Sequence, residues 1–146
     1  MSNLIYKPAM NESKIMENRK MIFSTLWIFV TLNYLYCDLM GMMDPVLLKQ
    51  YFSGIVGGIT INENFLFSAA ILMEIPMVMI VLSRILGYRA NRWANGIAAT
   101  LMTLVMILTL FVGKPTHYYL FCGIIEIVTT LFILWYALGW KRPVEK

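Results

Sequence analysis

Apolar residues dominate the chain in four long runs separated by short polar breaks, at Met21–Met43, Phe65–Leu86, Trp93–Val112 and His117–Trp140. At ~1.5 Å per helical residue each run crosses a hydrocarbon core of ~30 Å. The pattern predicts an all-α fold: a four-helix transmembrane bundle forming a single domain over residues 1–146, with antiparallel neighbours because most connections are short. Residues 1–20 then form a tail, and 44–64 the one long connection. In that connection Asp44 suits an N-cap and Pro45 a first helical turn, so residues 46–52 are expected to form a short interfacial helix. Gly54, Gly57 and Gly58 should break any regular element after it. Whether the segment lies on the outer surface or folds back over the bundle mouth is left open.

Successive helical residues turn by about 100°, so each run can be searched for a polar stripe. In the fourth, Tyr119, Cys122, Gly123, Glu126, Thr129, Thr130 and Ala137 share one face, opposite Leu120, Ile124, Ile127, Leu131, Leu134 and Trp135. Glu126 is therefore expected to point into the bundle. The first run carries Asn33, Cys37, Gly41 and Asp44 on one stripe and Trp27, Thr31, Tyr34 and Asp38 on the next, opposite Ile28, Leu32, Leu35 and Leu39. In the second, Glu74 stands alone among Phe67, Ala70, Ile71, Val78 and Val81. It is expected to find its partner on another helix, while Pro76 frees the Leu72 carbonyl and is expected to kink the helix. The third run has the stripe Asn95, Ala99, Met102 and Met106, with Gly96 and Thr103 beside it, which favours close helix approach.

Depth selects which polar groups could meet. Counted from the outer ends, Glu74 and Glu126 both lie ~14 Å deep, near the midplane, with Asn33 at a similar level. The expected cluster is Asn33, Glu74, Glu126, Thr129 and Thr130 at the centre, with Tyr34, Asp38 and Tyr119 leading outward. A carboxyl group in hydrocarbon is costly and usually marks a partner, a cavity or a task. No Lys or Arg lies within the central parts of the runs, so two neighbouring carboxyls cannot both remain ionised. A shared proton, or a bound cation or amine, is expected instead. Two readings follow: the glutamates serve as polar groups that pack helices together in an accessory or structural subunit, or they bind or pass a small cation, proton or amphipathic ligand. A weak echo between residues 72–75 and 124–127, each carrying a central glutamate, is too short to establish a repeat.

Composition sharpens the class. With 60% hydrophobic and 14% charged residues, the chain departs from the balance of an ordinary soluble domain. Ten of the 12 basic residues fall before the first run, around the second connection or after the last run, and only Lys49 and Lys114 fall on the other side. That bias predicts a multi-pass protein of the plasma (inner) membrane with both termini cytoplasmic. It also explains the net charge of +4 without a nucleic-acid partner. A basic tail followed by an apolar run lacking a small-residue cleavage site is read as a retained span. Cys37 and Cys122 show neither C-x-x-C spacing nor a histidine pair, so they are read as packing residues whose matched depth permits a bridge if their helices touch. His117 reads as a surface residue, and the methionines as adaptable packing. Asn11-Glu12-Ser13 matches a glycosylation acceptor but falls on the cytoplasmic side. No nucleophile–base pair or metal triad is visible, so no catalytic residue, metal or cofactor is expected. The expected partners are the lipid bilayer, a small cation or amphipathic ligand, and a second copy docking through the Gly and Ala faces.

The segments 24–29, 33–38, 72–76, 88–95 and 124–127 together resemble a family of small prokaryotic membrane proteins classed as a domain of unknown function. The resemblance covers nearly the whole chain and implies the four-span plan without an activity, cofactor or catalytic residue. In outline the plan is also similar to DoxX-like membrane proteins, a likeness of fold alone.

Overall fold

The computed structural model describes residues 6–112 and 114–140, with side chains described from Ser13 onward. Five helices are present: α1 (Tyr6–Met43), α2 (Pro45–Ser53), α3 (Glu63–Ile85), α4 (Tyr88–Thr109) and α5 (His117–Leu138). Four of them, α1 over Ser13–Met43 together with α3, α4 and α5, are long and apolar enough to cross a membrane. The expected boundaries move most at two places. α1 begins well before Met21, because polar residues such as Asn11, Glu12 and Lys14 continue a helix as readily as apolar ones when nothing caps it earlier. α4 likewise begins at Tyr88.

The connection after α1 is more ordered than its glycines suggest. Asp44 accepts the backbone N–H groups of Val46 and Leu47 at 2.9 and 3.3 Å, and Pro45 opens the first turn of α2. Gly54 ends the helix in the left-handed region at φ 71°, donating its N–H to the Tyr51 carbonyl at 3.1 Å. Gly57 and Gly58 do not merely break structure. Their positive φ values of 56° and 85° make the two-residue turn of a small hairpin, in which β1 (Ile55–Val56) pairs antiparallel with β2 (Ile59–Thr60). α2 folds back on the end of α1: a β-carbon on Gly41 would sit 3.2 Å from a Leu47 methyl group and 3.6 Å from the Tyr118 hydroxyl. Partial burial, and then the neighbouring Asp38 carboxyl, push the Tyr51 phenol above its ordinary value.

The long helices form an up-down-up-down ring in which α1 packs on α3 and α5, and α4 packs on α5. Of the neighbouring pairs in this ring α3 and α4 touch least, although only Leu86 and Gly87 separate them in the chain. The core explains this asymmetry. Phe23, Trp27 and Val30 of α1, Met79 of α3, Ala98, Ala99 and Met102 of α4, and Ile133 and Ala137 of α5 are all buried in one cluster. Phe23, Met79, Ala98, Ile133 and Ala137 lie in the halves of their helices nearer the α3–α4 turn, which is therefore the closed end of the bundle. Trp140 seals that end, its ring edge-on to Tyr88 at 5.2 Å and its carbonyl accepting the Tyr88 hydroxyl at 2.6 Å.

A second layer of order at the closed end is polar. Trp27 Nε1 donates to Asn95 Oδ1 at 2.7 Å, and Ser83 Oγ to the same oxygen at 3.2 Å. Asn95 Nδ2 donates to the Asn91 carbonyl and to Asn91 Oδ1 at 2.9 and 2.5 Å, and Asn91 Nδ2 donates to the Ser83 carbonyl at 2.6 Å. Trp27, Ser83, Asn91 and Asn95 are fully buried, so the network ties α1, α3 and α4 where no water reaches.

A carboxylate-floored cavity between α3 and α4

With the packing concentrated at one end, the helices leave a cavity of about 460 Å³ in the other half. Its walls are Phe65, Ser68, Ala69, Leu72 and Met73 of α3 and Val105, Met106 and Thr109 of α4; its floor is Tyr34, Cys37 and Asp38 of α1 with Tyr119 and Glu126 of α5. The volume falls in the range of small-molecule sites, and a mostly apolar wall with a few convergent polar groups is the usual composition of such sites. The polarity is confined almost wholly to the floor.

Glu126 reaches that floor because α5 turns its polar stripe inward, burying Cys122, Gly123, Glu126, Thr130 and Ala137 together. The Tyr34 hydroxyl donates to Glu126 Oε1, fixing one carboxyl oxygen across the α1–α5 contact. Asp38, one turn further along α1, lines the same space. Tyr119 lines it from α5 and Thr109 from α4. Gly123 lets α4 approach, since a β-carbon there would collide with the end of the Met106 side chain. Cys37 and Cys122 are both buried free thiols, and the hydrogen bonds that Asn33 and Tyr34 make to α5 show that α1 and α5 do touch at their shared depth. Among the described residues no group of three or more His, Cys, Asp or Glu side chains is placed to hold a metal ion.

Of the candidate residues, the fold thus brings Tyr34, Asp38, Tyr119 and Glu126 to one cavity. Asn33 lies beside it as a structural tie, donating from Nδ2 to the Cys122 carbonyl at 3.1 Å. Thr129 and Thr130 bond back to the Ile125 and Glu126 carbonyls of their own helix, and the Thr130 hydroxyl also meets Thr103 at 2.8 Å to join α5 to α4. Glu74 corrects the expectation of a central pair. It is exposed on the outward face of α3, as are Phe67, Ala70, Ile71, Val78 and Val81. The inward arc of α3 runs instead through Ala69, Leu72, Pro76, Met79 and Ser83, and at ~100° per residue Glu74 points ~160° away from Pro76. The stripe containing Glu74 is as expected, but the opposite stripe faces the bundle. Of the small residues, Ala99, Ala137 and Gly123 are buried between helices. The Ser83–Asn91–Asn95–Trp27 network had only a partial sequence signal, in the periodic position of Asn95 on the buried face of α4.

The architecture defines a class: a small protein with four helices of membrane-spanning length around a half-open, carboxylate-floored cavity. Within that class the chain belongs to a family of unknown function, DUF6326, which it matches over residues 10–145. Neither a curated protein nor a solved structure matches it, and the outline likeness to DoxX-like proteins gains no support.

Proposed function

We propose that this is a multi-pass plasma-membrane protein that binds a small amphipathic cation in the cavity between α3 and α4. The observation that carries the reading is Glu126. It is 2% exposed, held by Tyr34 at the floor of a cavity whose walls are mostly apolar, with the described basic side chains lying toward the two ends of the bundle. Such a site matches a ligand with an apolar body and one positive charge: the walls take the body, and Glu126, with Asp38 at the approach, takes the charge. The positive-inside bias sets the closed end, which carries Arg19, Lys20, Arg84 and Arg92, on the cytoplasmic side. The cavity then opens in the outer half of the bilayer, between the two neighbouring helices that touch least, so a lipid-soluble cation enters sideways from the outer leaflet.

Tetraphenylphosphonium is the test probe, with tetraphenylborate as the control of similar size and opposite charge. In detergent the cation should raise the unfolding temperature and the anion should not; an equal response to both would remove the site. Cation uptake into proteoliposomes then separates passage from binding alone. For orientation, Ser53→Cys in a background lacking Cys37 and Cys122 should react with an impermeant maleimide added outside intact cells. Reaction only after the inner face is exposed would invert the topology. Ser2 and Glu145, the matching cytoplasmic positions, lie outside the described residues.

A second reading has a specific observation behind it. The Tyr34–Glu126 hydrogen bond joins α1 to α5, which is what a purely packing carboxyl in an accessory subunit would do.

A further inference from the structure

α3 is the least covered of the four span-length helices. Only 11% of its most apolar stretch is buried, against 28% to 33% in the others. Its outward face is ordered: Phe67, Glu74 and Val81 follow one another at seven-residue spacing, with Ala70, Ile71 and Val78 between them, and every one is exposed. This is the spacing of a helix-pairing seam, with a single polar residue at one of its central positions. Glu74 is also the middle residue of α3, ~16 Å of helix from either end. If α3 lies in a bilayer, that carboxyl faces acyl chains at the deepest point of the membrane. The basic residues of the described part lie toward the two ends of the bundle, and none stands in the middle of α3, α4 or α5. An ionisable side chain at that depth ordinarily faces protein or water, because hydrocarbon offers no hydrogen-bond partner.

We propose that the outward seam of α3 is the contact surface for a second copy of this chain, with the two Glu74 carboxyls hydrogen-bonded to each other at its centre. Two copies inserted with the same topology are related by a two-fold axis along the membrane normal. That axis sets α3 parallel to its counterpart and in register, so Glu74 meets Glu74 at equal depth. A carboxyl group donates when protonated and accepts in either state, so a pair sharing protons satisfies itself without a cation. The flanking Phe67, Ile71, Val78 and Val81 supply apolar packing, and the single polar position selects the register, the best-attested use of such a residue. A second copy is favoured over a different partner because this seam is self-complementary as it stands. The inference rests on membrane insertion and is independent of the ligand assigned to the cavity.

Cysteine cross-linking in native membranes tests it, with Cys37 and Cys122 replaced and Glu74 retained. Single cysteines at Phe67, Val78 and Val81 should give disulfide-linked dimers under mild oxidation. Cysteines at Ile124 and Leu131, equally outward on α5, should not. Adding Glu74→Leu to the Val78 and Val81 variants should lower the dimer yield about 3- to 20-fold, the range of one to a few membrane hydrogen bonds, whereas Glu74→Gln should retain it. Monomeric mass in nanodiscs together with equal cross-linking on α3 and α5 would overturn the proposal. Release of the protein from membranes by carbonate wash would instead overturn the membrane reading beneath it, so the two failures are distinguishable.

Discussion

Replacing Asn95 with alanine should destabilise the fold by about 2–4 kcal/mol, more than any exposed substitution in the helices. The side chain occupies the centre of the closed end, where Oδ1 accepts Trp27 Nε1 and Ser83 Oγ while Nδ2 donates to two oxygens of Asn91. Single hydrogen bonds between membrane helices average only ~0.6 kcal/mol, because the dissociated helices find other partners. Asn95 differs because its loss leaves partners buried without replacements. The Trp27 indole has only a donor to offer, and Trp27 and Asn91 are both 0% exposed. Each orphaned buried group costs about 1–3 kcal/mol. Ser83 can turn back to its own helix and contributes less. Thermal unfolding in detergent, compared with Leu131→Ala on the exposed face of α5, gives the measurement. Similar midpoints for the two variants would mean that the network does not hold the helices together.

The contrast between Asn95 and Glu74 shows where sequence reasoning about this chain succeeds and where it fails. α5 was legible because its polar and apolar halves separate cleanly: Glu126, Cys122, Gly123 and Thr130 are buried as their stripe implied, and Ile124, Leu131 and Trp135 are exposed. The same holds for α4, whose stripe Asn95, Ala99, Met102 and Met106 is buried throughout. On α1 the apolar face of Ile28, Leu32, Leu35 and Leu39 is outward as expected. α3 offered no such division. Both of its faces are apolar, so the lone carboxyl decided the assignment, through the expectation that its partner lies on another helix. The inward face is distinguished by the burial of Pro76, Met79 and Ser83, which periodicity does not reveal. Gly57 and Gly58 were misread for a related reason. Two consecutive glycines disfavour helix and extended strand, yet they supply the positive φ values that a two-residue hairpin turn needs. The carboxyl pair expected across the bundle interior therefore resolves into two separate features, Glu126 at the cavity floor and Glu74 on the outer seam.

Glu126→Gln should weaken tetraphenylphosphonium binding about 30-fold or more while leaving the unfolding temperature of the unliganded protein nearly unchanged. The amide keeps the shape of the side chain and still accepts from the Tyr34 hydroxyl at Oε1, so the α1–α5 tie survives. What disappears is the negative charge facing the cavity. Truncating one partner of a buried, hydrogen-bonded charge pair costs about 2–5 kcal/mol, and each 1.4 kcal/mol is roughly tenfold in affinity. Tyr34→Phe separates positioning from charge. It removes the donor that orients the carboxyl but leaves the charge, so affinity should fall by less than in the glutamine variant. In the double variant the Tyr34 change should add almost nothing, because a residue that acts through Glu126 has no effect once the charge is gone. Additive losses would instead mean that Tyr34 touches the ligand itself. If tetraphenylphosphonium stabilises Glu126→Gln as much as the parent protein, the cavity is not a cation site. A large drop in unfolding temperature for Glu126→Leu would then assign this carboxyl to packing α1 against α5.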